Sequence, residues 1–160
     1  MSFSSEVSFI EDRFTQGFLA GIAGWLPEVI FTFSNLWIFH LTKFGYLDFA
    51  AIITYNHKPQ GFLQHLFSEL VVIIVLTFLG AVFAMLIKVI QSPAIILKGT
   101  LYGAISWFLI YVLFALYKIE GISGKIDFPT AVINLLGAAI WGIGMAWTLL
   151  FLNRKYGVKN

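Results

Sequence analysis

Residues 70–87, LVVIIVLTFLGAVFAMLI, carry a single polar side chain, Thr77. Crossing a bilayer takes about 20 predominantly apolar residues in a helix. Three further runs have this character: 18–42 (FLAGIAGWLPEVIFTFSNLWIFHLT), 95–117 (IILKGTLYGAISWFLIYVLFALY) and 131–152 (AVINLLGAAIWGIGMAWTLLFL). Inside lipid every backbone polar group must be paired within the chain, so each run is predicted to be a helix. The expected fold is all-α, a polytopic membrane protein of four spanning helices forming one domain over residues 1–160. With flanking residues included, the spans lie at about 18–42, 66–90, 95–118 and 130–152.

The bulk numbers agree. Hydrophobic residues make up 59% of the 160 and charged residues 11%, whereas soluble domains carry roughly 25% charged residues. A chain of this length folded in water leaves much of its surface exposed and could not hide so much apolar side chain. Net charge is +2 with no basic cluster, which gives nucleic acid no footprint. Absence of cysteine excludes disulfides, thiol catalysis and thiolate-bound metal clusters. The opening MSFSSEVSFIEDRFTQ is acidic where a cleaved leader is basic, so no cleaved targeting segment is expected.

Between and before the spans, three features set the local structure. Ser8 and Glu11 have capping-box spacing, and Val7, Ile10 and Phe14 recur on one side, which predicts a short N-terminal interfacial helix. Ser92–Pro93 and Pro129 suit the starts of the third and fourth helices. Residues 43–60, KFGYLDFAAIITYNHKPQ, are too polar to span and are expected to lie at the headgroup level, with a re-entrant loop as the alternative.

Small residues mark the packing faces. Gly17, Gly21 and Gly24 in the first span, Gly99 and Gly103 in the third, and Gly137 and Gly144 in the fourth should let helices approach closely, within the bundle or between copies of the chain. Lys and Arg near the spans divide six to four: Arg13, Lys88, Lys98, Arg154, Lys155 and Lys159 against Lys43, Lys58, Lys118 and Lys125. That bias orients both termini to the cytoplasm of a multi-pass protein of the cell membrane.

Few groups could carry chemistry. Glu28 lies about 15 Å along the helix from Phe18. At that depth a charge must be paired, hydrated or neutralised. Pro27 beside it removes a hydrogen bond to the carbonyl of Ala23. Glu28, with Asn35 and Asn134 as its polar company, is thus either a proton or cation group or a hydrogen-bonded packing element. His65 and Glu69 stand four apart at the start of the second span. They form either the solvated end of a helix or, with His40 and His57, the ligands of an edge metal site. The third and fourth spans contain no histidine, which leaves haem ligation unsupported, and no Ser–His–acid set is readable. We therefore expect no catalytic residues, no metal, no cofactor and no enzymatic activity; the partners expected are the lipid bilayer and other membrane proteins or copies of the same chain.

In the third span, LKGTLYGAISWFLIY places Gly99, Tyr102, Gly103 and Trp107 as G-x-x-Y-G-x-x-x-W. This resembles the YqhR family of small bacterial membrane proteins, and the opening GFLAGIAGW of the first span is similar in style. The resemblance implies four spans and a long first extracytoplasmic connection. The tail FLNRKYGVKN departs from that pattern, and no catalytic residue carries over. Three functions remain: an accessory or scaffold component, a small oligomeric transporter or channel component using Glu28, and an edge metal site or enzyme using His65 and Glu69.

Overall fold

A computed structural model describes residues 12–89, 94–119, 122 and 124–156. It is all-helical over these residues, and four of its helices are long and apolar enough to cross a membrane. Helix α1 is Arg13–Phe33 and continues into a π-helical turn, Ser34–Ile38. Helix α2 is Tyr46–Tyr55, α3 Gly61–Val89, α4 Ile95–Tyr117 and α5 Phe128–Tyr156. The chain is a four-helix membrane protein.

Helix α1 begins five residues before the expected span because Asp12 caps it: its carboxylate accepts from the Thr15 backbone N–H at 2.9 Å and from the Thr15 hydroxyl at 3.1 Å. Phe14 is part of this helix, while Ser8 and Glu11 lie outside the described residues, as do Ser92 and Pro93. Pro27 sits inside α1 without ending it. Helix α3 likewise starts at Gly61 rather than near 66. The Gln64 side chain reaches back to accept from the Gln60 backbone N–H at 2.7 Å, so polar residues ahead of the apolar run are already helical. At its start Gly61 holds φ +74, a left-handed conformation that glycine adopts without steric cost. Asp127 performs the same service for α5 by accepting from the Thr130 backbone N–H at 3.2 Å, with Pro129 in the first turn.

Helix α1 packs between α3 and α5, and α4 packs on α5. Their interfaces are backbone against backbone. A Cβ on Gly17 would lie 2.7 Å from the Gly80 carbonyl oxygen, and one on Gly24 would lie 2.6 Å from that of Trp141. A Cβ on Gly99 would meet the Gly142 carbonyl oxygen at 2.5 Å, and one on Gly103 would collide with that of Ala138. Gly137 faces Glu28 and Thr32, and Gly144 faces Gly24. All seven glycines of the expected packing faces thus turn inward, where close approach supplies the dispersion contacts that lipid cannot replace.

Helices α3 and α4 meet mainly through side chains, with Phe83 and Tyr102 at a ring separation of 5.0 Å. Toward the α1–α2 connection the space between them is filled by α2. Phe44, Phe49 and Ile52 form a buried cluster with Phe114 of α4, and Ala50 joins Val72 and Leu76 of α3 in the main core. The segment 43–60 does not span; its apolar side is covered by protein rather than by lipid alone.

Candidate intramembrane polar site

Glu28 is 2% exposed. One turn on, the Thr32 hydroxyl donates to Glu28 Oε1 at 2.7 Å, and Gly137 of α5 leaves room for both side chains. Placing a hydroxyl four residues from a carboxyl on one helix brings them together automatically. Among the described residues the ion pairs are Lys43–Asp127 and Lys58–Asp48, so no cation reaches Glu28. Beside Glu28 lies a cavity of about 20 Å³, bordered by Tyr46, Leu79, Ser106 and Trp107 among others. That is roughly the space one water needs, and most of its lining side chains are apolar.

Asn134 is fully buried. Its Nδ2 donates to the Phe44 carbonyl and to the Tyr111 hydroxyl, each at 3.1 Å. Tyr46, at the start of α2, donates its hydroxyl to the Asn134 carbonyl at 2.8 Å. The connection into α2 is therefore pinned to the second turn of α5, and Thr130 strengthens the attachment by accepting from the Lys43 backbone N–H at 3.0 Å. Asn35 joins neither group. Its Nδ2 donates to the Phe31 carbonyl at 2.8 Å, within its own helix. Glu28, Asn35 and Asn134 thus have different hydrogen-bond partners, although Tyr46 both borders the cavity beside Glu28 and bonds Asn134.

The pair His65 and Glu69 is divided as well. Because α3 starts at Gly61, Glu69 lies about 12 Å along it rather than at its rim. Its Oε1 accepts from Trp25 Nε1 of α1 at 2.6 Å. His65 turns back, its Nδ1 donating to the Gly61 carbonyl at 2.8 Å. His57 Nδ1 hydrogen-bonds the Lys58 carbonyl at 2.7 Å. His40 and His65 do border one groove of about 370 Å³ with Asp48 and Lys58. Even so, no three His, Asp or Glu side chains among the described residues come close enough to hold a metal ion.

Two acids at this end have contrasting surroundings. Burial pushes the Asp48 carboxyl above its usual range, although the Gly45 N–H and Lys58 pull it back. Asp127 is pulled down to about 2 by hydrogen bonds from Lys43 and Thr130. The difference is solvent: Asp48 is 5% exposed, while Asp127 meets Lys43 at the surface, at 2.8 Å.

Sequence reasoning paired neither Thr32 with Glu28 nor Trp25 with Glu69, and it missed Tyr46 and Tyr111. Only Thr32 carried a usable signal, its spacing of four from Glu28. Gly80 and Gly142 were missed too, yet Gly80 with Ala84, and Ala138 with Gly142 and Ala146, repeat small residues every four positions. Compared with known protein families, curated proteins and solved structures, the chain matches none.

Proposed function

We propose that this protein is an accessory or scaffold component of the cell membrane, packing against partner membrane proteins and catalysing no reaction itself. The observation that carries this is the closure of the bundle. The α1–α3, α1–α5 and α4–α5 contacts run through glycine backbones, and the space beside the central carboxyl is only about 20 Å³. Such an interior offers no room for a solute beside Glu28, and the groove of about 370 Å³ by His40 and His65 lies apart from it, at the α1–α2 connection. What the chain presents instead is its outer surface. Leu97, Leu101, Ile105 and Phe108 of α4 are all exposed, on the helix that buries least of its length. The Lys and Arg distribution supports cytoplasmic termini, and the resemblance of α4 to the YqhR family supports a bacterial plasma membrane.

The test is the native mass of the complex in mild detergent, isolated from the organism's own membranes. Stoichiometric recovery with a larger membrane protein, whose level falls when this chain is deleted, is the expected result. Recovery alone, or as a closed homo-oligomer, would overturn it.

A second reading, an oligomeric transporter or channel component, is favoured by one feature. Two carboxylates, Glu28 and Glu69, stand within the spans of adjacent helices α1 and α3. Glu28→Gln distinguishes the two readings, because it preserves the partner of Thr32 while removing a titrating group. Unchanged flux or growth in that variant counts against proton coupling.

A further inference from the structure

Where α1 gives way to the connection into α2, the groove of about 370 Å³ is large enough for a small molecule or a lipid headgroup. Leu36 and Trp37 line it from the π-helical turn that ends α1. His40 borders it with φ +52, a left-handed conformation uncommon outside glycine. Trp37 is exposed at the end of a spanning segment, which sets the groove at headgroup depth. Two of the groove's polar groups are acceptors. Asp48 is 5% exposed, and its Oδ2 accepts from the Gly45 N–H at 2.9 Å. Lys58 Nζ stands 3.8 Å from the same oxygen, an ion pair rather than a hydrogen bond. That ammonium is engaged elsewhere, donating to the Lys43 carbonyl and lying 4.4 Å from the centre of the Phe44 ring. Asp48 Oδ1 is thus left for a further donor, and a buried carboxylate short of donors is costly. His65 supplies the second acceptor. Its Nδ1 meets the Gly61 carbonyl, which can only accept, so in the neutral ring Nε2 keeps a lone pair.

We infer that this groove binds a primary ammonium group, which donates to Asp48 Oδ1 and His65 Nε2 beside the Trp37 ring. The ring adds the attraction of its π-face for a cation. A metal ion does not suit the site, because no three His, Asp or Glu side chains among the described residues come close enough to hold one. An anion does not suit it either, since the lysine of the groove is already engaged by Lys43, Phe44 and Asp48. A quaternary ammonium satisfies Trp37 but brings no N–H to the two acceptors. At headgroup depth the ammonium is that of phosphatidylethanolamine, with its acyl chains in the surrounding bilayer, or that of a dissolved amine.

The test uses the full chain, delipidated in mild detergent, with phosphatidylethanolamine, phosphatidylcholine of the same acyl chains and free ethanolamine as probes. Native mass spectrometry reads lipid retention, and the thermal midpoint reads stabilisation. Phosphatidylethanolamine should be held about tenfold more tightly than phosphatidylcholine, as one charge-assisted hydrogen bond gives. Asp48→Asn still accepts from Gly45 but loses the charge, and should abolish that preference. Asp127→Asn, which removes an exposed carboxylate at the same end, should keep it. Equal retention of the two lipids by the unmodified chain, with no stabilisation by ethanolamine, overturns the inference, and so does a preference that survives Asp48→Asn. Stabilisation by ethanolamine as strong as that by phosphatidylethanolamine, and lost in Asp48→Asn, upholds the ammonium and assigns the groove to a dissolved amine. Should Asp48→Asn not fold, His65→Phe decides, because it removes the second acceptor: a preference it leaves intact overturns the inference, and a weakened one supports it.

Discussion

Trp25 of α1 donates its indole N–H to the Glu69 carboxylate of α3 at 2.6 Å, across 44 positions of sequence. The bond lies one turn from Glu28 on α1, so two acidic side chains of neighbouring helices are each held by a different uncharged donor, an indole and a hydroxyl. In lipid a bond like that of Trp25 to Glu69 joins helices that have no hydrophobic reason to associate.

Trp25→Phe keeps the aromatic bulk and removes the donor. It should lower stability by about 1 kcal/mol, because Glu69 then has no partner from α1. Reversible unfolding in mixed micelles measures this. A variant as stable as the unmodified chain would show that the bond contributes nothing net.

Within α1, Thr32→Val is nearly isosteric and leaves the Glu28 carboxyl without its partner. We expect a loss of about 1–2 kcal/mol, against less than about 1 kcal/mol for Glu28→Gln, which can still accept from Thr32. The same unfolding assay checks the order. If Glu28→Gln costs more, the Thr32 bond is not what settles this carboxyl in place.

Gly103→Ala and Gly142→Ala each put a methyl group onto the facing backbone of the α4–α5 interface. Backbone cannot give way as a flexible side chain does, so each should cost about 1–3 kcal/mol, with α4 loosening first. Faster proteolysis in the connections flanking α4, with α1–α3 still protected, is the readout. Uniform protection would contradict the interface.

Asp127 titrates low because Lys43 and Thr130 favour its charged form. A depressed folded-state value gives stability that is present above the unfolded value of 3.8 and is lost as pH falls toward about 2. Lys43→Gln should raise the Asp127 value and flatten the acid limb between about pH 4 and about pH 2. Asp48 works in the opposite sense: burial raises its value, so its contribution declines as pH rises through that raised range. Nuclear magnetic resonance titration of the two carboxyls separates them. An Asp127 unmoved by Lys43→Gln would remove the ion pair as the cause.

The number of spanning helices, and the small-residue faces in α1, α4 and α5, could be read from the sequence alone, because both depend on local composition. Each apolar run must form a helix in lipid whatever its neighbours are, and a glycine every three or four positions lies on one face of any helix. Helix starts were harder, since Asp12 and Gln64 extend α1 and α3 through side-chain capping beyond the apolar runs. What surrounds each polar group was decided only by the tertiary structure. Nothing local in Glu69 points to Trp25, and nothing in residues 43–60 shows that Tyr46 and Phe44 meet Asn134 some 90 positions away. These partners depend on which helices are adjacent and at what register, which is set by backbone contacts such as Gly17 with Gly80 and Gly99 with Gly142. Hydropathy carries no information about pairing because lipid tails are as apolar as the helices they surround. The choice of neighbour falls to shape and hydrogen bonding, which exist only once the chain is assembled.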